Sequence, residues 1–177
     1  LFKENDNYQK HMKSVLIHRF NQVKNIDAHF NSLVKKVYDC IGDAHNKDPE
    51  DCLANLRNVL KTALDLILER EFPDKKVPED WTNTWQRERP KANIPKSWPN
   101  KDVLKLTLLE CMVGAYLGQV TPAKAKHVDK AAYYCLDQIK SYGNYGNHTS
   151  DEKISIEIVF VAVMTCIELV ASLDRYG

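Results

Sequence analysis

Residues 141–152 read SYGNYGNHTSDE. They stand between two long helical patterns, so their reading decides how the last third of the chain folds. Gly143 and Gly146 permit tight or left-handed backbone geometry. Asn144 and Asn147 tolerate the same region and bond to nearby backbone. The stretch therefore predicts a helix–helix connection. Thr149 followed three residues later by Glu152 matches a capping box that restarts a helix. His148 directly precedes that cap, near the N-terminus of the last helix, where the helix dipole disfavours a protonated ring. A neutral imidazole there suits proton abstraction from a hydroxyl, and a histidine bonded to a backbone carbonyl fits the position equally well.

Upstream, Val128, Ala131, Ala132, Cys135, Leu136 and Ile139 form the inner face of a helix predicted over 123–142. Its expected outer face holds Lys124, Lys126, Lys130 and Lys140. Before it, apolar residues from Val103 to Leu117 predict a helix that Gly118 ends. The stretch 72–100 holds most of the seven prolines and all three tryptophans, Trp81, Trp85 and Trp98. Its proline spacing forbids a long helix through 89–99. It reads as an irregular insertion pinned to the core by its tryptophans. Leu53, Leu56, Leu60, Ala63, Leu64, Ile67 and Leu68 form one face of a helix predicted over 49–71. Asp48-Pro49-Glu50 is its start signal. Residues 8–41 carry the periodicity of one long helix or two shorter ones, which Gly42 stops, with Asp39, Asp43 and His45 around the following turn. Downstream of the quoted stretch, residues 151–174 predict a helix apolar on most faces, central or at a subunit interface.

No segment alternates as a clean strand. The fold class expected is all-α, a bundle of about five helices in one domain spanning 1–177. Residues 1–48 form an N-terminal helical extension and 72–100 the irregular insertion.

Hydrophobic residues make up 44% and charged residues 28%, with a net charge of +1. That composition fits a soluble domain and lacks the broad basic field of a duplex-wrapping protein. The five cysteines form no CxxC pair and read as small buried hydrophobes in a reducing, cytoplasmic setting. The apolar run 158–167 is ten residues, bracketed by Glu157 and Glu168, against the roughly 20 a span needs, so no membrane association is expected. Leu1 in place of Met reads as a fragment or processed product. Neither a metal-ligand spacing, a Walker loop nor a nucleophile elbow occurs, so no metal and no cofactor are expected.

The segment Gly143-Asn144-Tyr145-Gly146-Asn147-His148 resembles the signature of the HEPN superfamily of small helical domains. It is similar to a defence-associated branch with a Gly-Asn pair and a His four residues after the Asn. The patterns at 56–68, 104–118 and 128–144 fit alongside, so the resemblance covers roughly residues 49–173. Many members are metal-independent ribonucleases. The resemblance implies that His148 acts as base or acid on a ribose 2′-hydroxyl and that Asn144 is the polar partner. Cleavage would proceed by internal attack within one ribose. In the family four to six residues intervene between the Arg and the His, and at those positions before His148 this chain has Gly143, Tyr142 and Ser141. Lys140 lies one residue outside the window and is a poorer bidentate phosphate clamp than Arg. Arg57 on an earlier helix is the other candidate cation. Tyr142 and Tyr145 could stack on a base or seal the helix junction.

The departure favours a degenerate, non-catalytic HEPN-like module for RNA or protein interaction and dimerisation. A metal-independent endoribonuclease of toxin or anti-phage type is the alternative, and a helical domain of unrelated function a third. The partners implied are a second copy in a homodimer, RNA, and a protein partner or antitoxin.

Overall fold

The strongest start signal in the sequence, Pro49 behind Asp48, opens the helix on which most others pack. The computed structural model describes residues 2–148 and 153–174, with side chains described for 6–147 and 153–173. Among these residues there are seven α-helices, one 3₁₀ turn and no strand. The helices are α1 (Phe2–Val23), α2 (Asn31–Asn46), α3 (Pro49–Glu71), α4 (Glu79–Glu88), α5 (Asp102–Met112), α6 (Lys130–His148) and α7 (Ile156–Asp174). The 3₁₀ turn, Ala28–Phe30, leads into α2.

The all-α class holds, and the count rises from five to seven for identifiable reasons. The N-terminal periodicity breaks at 24–27, where Asp27 accepts from the His29 N–H at 2.8 Å and starts the 3₁₀ turn. Gly42 does not end α2. The helix runs on to Asn46, so Asp39, Asp43 and His45 lie on it rather than around a turn. The stretch 72–100 is not wholly irregular, because it contains α4 between Pro78 and Arg89.

Helix α5 stops earlier than predicted. Gly114 takes φ +70°, the Gly114 N–H reaches the Cys111 carbonyl at 3.2 Å, and the Ala115 N–H reaches the Glu110 carbonyl at 3.0 Å. This is a Schellman ending, in which a left-handed glycine turns the chain and satisfies the last carbonyls. Gly118, φ +92°, belongs to the loop beyond.

Helix α3 is the hub. It packs most extensively on α6 and also meets α2, α5 and α7. Its predicted apolar face is buried throughout, joined by Cys52 and Val59. Two cores result. The larger gathers Leu16 and Phe20 of α1, Leu33 and Val37 of α2, Leu53 and Leu56 of α3, Leu136 and Ile139 of α6, and much of α7. Helices α1 and α2 thus share the core of the rest. The smaller core surrounds Trp85 with Leu68, Phe72, Ile94, Leu108, Cys111 and Met112, and Trp81 and Trp98 pack against it.

Helix α7 starts at Ile156. The Ser155 hydroxyl accepts from the Ile158 N–H at 3.4 Å, an N-cap bond. The expected capping box of Thr149 and Glu152 lies outside the described residues. Ile156–Leu173, mean hydropathy 2.2, is longer and more apolar than the ten-residue run suggested and passes the length and composition test for a span. It is 56% buried inside the protein, packed against α1, α2, α3 and α6. Burial of that kind is the mark of a core helix.

Candidate functional site on the α3–α6 face

The segment 141–148 is not a connection. It is the last two turns of α6. This overturns the loop reading, and the reason lies in what the glycines face. A Cβ on Gly146 would sit 2.7 Å from the Ala54 N, 2.7 Å from the Leu53 Cβ and 2.9 Å from the Glu50 carbonyl oxygen. A Cβ on Gly143 would sit 3.2 Å from the Arg57 Cγ. Neither glycine has a positive φ. Each is small because α3 passes too close for a side chain, and two glycines three apart lie on one helix face. Asn147 donates to the Gly143 carbonyl at 2.9 Å, inside the same helix.

The start of α6 also moves. Asp129 caps it by accepting from the Ala132 N–H at 3.2 Å. The approach to it is held by Glu71, whose carboxylate accepts from the Lys126 N–H at 3.1 Å and the His127 N–H at 2.5 Å. Lys124 and Lys126 therefore precede the helix instead of lining its outer face.

These contacts show α3 and α6 antiparallel. Glu71 meets the residues before α6, and Leu53 and Ala54 meet its last turns. Across this seam the Arg57 Nη2 donates to the Asn144 Oδ1 at 3.0 Å. The stem of Arg57 lies over Gly143, so the glycine makes room for the arginine that reaches Asn144. Both partners are exposed. One of the guanidinium's five donors is used in this bond.

Among the residues singled out from sequence, Arg57 and Asn144 are thus brought together by the fold, though 87 positions apart. Lys140 lies one turn before Asn144 on α6, half-buried. Tyr142 and Tyr145 are half-buried and pack against the larger core. His148 is the last residue of α6. It sits at the end of that helix, not before the start of the next, which removes the premise of the dipole effect. Its side chain lies outside the described residues.

Lys61 was not singled out from sequence. It stands one turn from Arg57 on α3, exposed, in the direction in which α6, running antiparallel, leads from Asn144 to Lys140. The signal that could have found it is its i+4 spacing from Arg57. Toward the other end of the seam, Glu50 and Asp51 occupy the first turn of α3. The face is therefore basic in the middle and acidic at the α3 N-terminus.

The tryptophan-rich segment does not cover this site. Its core sits at Leu68 and Phe72, about 22 Å along α3 from Leu53 at 1.5 Å per residue. Among the described residues there is no group of three or more His, Cys, Asp or Glu side chains that could hold a metal ion. The thiols are free and buried or half-buried. Burial pushes the Cys40 thiol up to about 12 and those of Cys52, Cys111 and Cys135 to about 11. Thiols held protonated in this way are poor nucleophiles.

No family model, curated protein or solved structure matches the chain.

Proposed function

We propose that the chain is a HEPN-like interaction module that binds RNA along the α3–α6 face. The observation that carries this reading is the Arg57–Asn144 hydrogen bond. It sets a cation beside the Asn of the Gly-Asn…His segment, in a chain whose sequence has no Arg in the expected window. Arg57, Lys61 and Lys140 then supply three positive charges over adjoining turns, in a protein of net charge +1. A local patch of that kind attracts a phosphate backbone without a global basic field.

The test is fluorescence anisotropy with single-stranded and structured RNA, comparing the natural chain with an R57A/K61A/K140A variant. Neutralising about three phosphates gives a log–log salt slope of roughly −2 for single strands, which the triple variant should lose. Equal affinity and equal slope in both proteins would defeat the reading.

The same bond favours a second reading, a metal-independent ribonuclease. Asn144 and His148 are one turn apart on α6, and Arg57 stands at Asn144. In that reading Arg57 steadies the phosphate and His148 takes the 2′-hydroxyl proton. Cleavage in EDTA, lost in H148A and leaving cyclic or 3′-phosphate ends, would establish it. Binding without cleavage in either protein leaves the module alone.

A further inference from the structure

Away from the α3–α6 face, the loop between α5 and α6 and Glu88 at the end of α4 carry buried side-chain oxygens that no hydrogen bond among the described residues uses. The Gln119 Nε2 donates to the Cys111 carbonyl at 3.0 Å and the Thr121 carbonyl at 3.2 Å. Two carbonyl acceptors fix the orientation of this amide, because only the NH₂ can serve both. The Thr121 N–H donates to the Glu88 Oε1 at 2.9 Å. The three residues are therefore tied together around Thr121. Each also carries a side-chain oxygen that is buried and finds no partner among the described residues: Glu88 Oε2, Gln119 Oε1 and Thr121 Oγ1.

A buried acceptor left unpaired costs free energy, and a charged one costs more. Gln119 and Glu88 both bond the Thr121 backbone, so the three unpaired oxygens belong to neighbouring side chains that one occupant can serve. That occupant must be cationic or a donor, since a carboxylate oxygen and an amide oxygen only accept. The nearest guanidinium is already engaged. Arg89 donates to Glu110 at 2.6 Å and lies over the Tyr116 ring, 4.1 Å from its centroid. The donor set is all oxygen with one formal negative charge, from Glu88. Hard oxygen ligands exclude soft metals. One carboxylate neutralises a single positive charge and leaves a divalent ion undercompensated, so this set matches a monovalent cation better.

We infer that Glu88, Gln119 and Thr121 form a binding site for a monovalent metal cation, sodium or potassium, that locks the loop between α5 and α6. The loop it would lock projects Leu117 and Val120, 93% and 86% exposed, on either side of Gly118. A cation bound only by the folded chain stabilises it by mass action.

The test is thermal unfolding at constant ionic strength in sodium, potassium or N-methylglucamine chloride. The natural chain should show a saturable rise of roughly 2–6 °C in one of the alkali salts over N-methylglucamine. E88Q keeps an acceptor for the Thr121 N–H and brings its own NH₂ into the cluster. It should fold and lose the salt-specific rise. Crystals soaked in thallium(I) should show an anomalous peak within coordination distance of the three oxygens. The same unfolding temperature in all three salts, with a non-anomalous peak at hydrogen-bond distance from the oxygens, would identify a buried water and overturn the proposal.

Discussion

The two ends of α3 are packed by opposite means. Near its N-terminus α3 meets α6 at Gly143 and Gly146, where α6 presents bare backbone to residues 53–57 of α3. Near its C-terminus Leu68 and Phe72 meet Trp85, with Trp81 and Trp98 edge-on around them at centroid distances of 5.9–6.1 Å. Two clusters of conspicuous residues, glycine-rich and tryptophan-rich, thus solve one problem. One brings a helix close by having nothing in the way. The other fills a wide gap left by a segment too proline-rich for a long helix. The lesson is that glycine marks intimacy as well as turning, and its neighbours in space decide which.

The contrast can be broken at either end. The largest effect is expected at the aromatic end. Trp85 is 1% exposed, so W85A should destabilise by about 3–5 kcal/mol in chemical denaturation. A loss under 1 kcal/mol would mean that the smaller core contributes little.

At the glycine end, G146A should destabilise by about 1–3 kcal/mol, because the new Cβ meets backbone at 2.7 Å. Helix propensity alone favours alanine over glycine by about 1 kcal/mol. A stabilised G146A would therefore refute the close approach of α6 to α3.

Thiol exposure separates the two ends within one molecule. Cys52 lies in the larger core and Cys111 in the smaller. Burial raises both thiols to about 11. A disulfide-exchange reagent should label Cys111 faster in W85A with Cys52 unchanged, and the reverse in G146A. Equal acceleration of both would show that the ends open as one unit. A raised folded-state pKa also means that the native state holds these protons where the unfolded chain has begun to lose them. Stability from these thiols is full below about pH 9, their unfolded range. It is lost as pH rises through about 11.

A smaller effect of opposite sign sharpens the comparison. Gly42 is inside α2, and a Cβ added there would meet nothing within 4 Å. G42A should stabilise by about 0.5–1 kcal/mol, with melting temperature as the readout. The smallest effect on stability is expected from R57A, whose side chain is exposed, at under about 0.5 kcal/mol. Its consequence should appear in RNA affinity instead.

Much of the fold was legible one helix at a time. Asp48-Pro49 and the spacing of Leu53 to Leu68 gave α3 its limits, because a local start signal and a buried face suffice for that. The all-α class followed from the same periodicity elsewhere. What the sequence left open turned on partners distant along the chain. Gly114 rather than Gly118 ends α5, and two glycines with identical propensities differ only in which carbonyls the chain presents to them. Gly143 and Gly146 continue α6 because Leu53 and Ala54 lie across from them. Asn144 and Arg57 were each legible as candidates from the sequence. Their bond was not, since it joins residues 87 positions apart through the register of two antiparallel helices. Local chemistry determined where helices could form. Only tertiary packing decided where three of them ended and which cation stands beside Asn144.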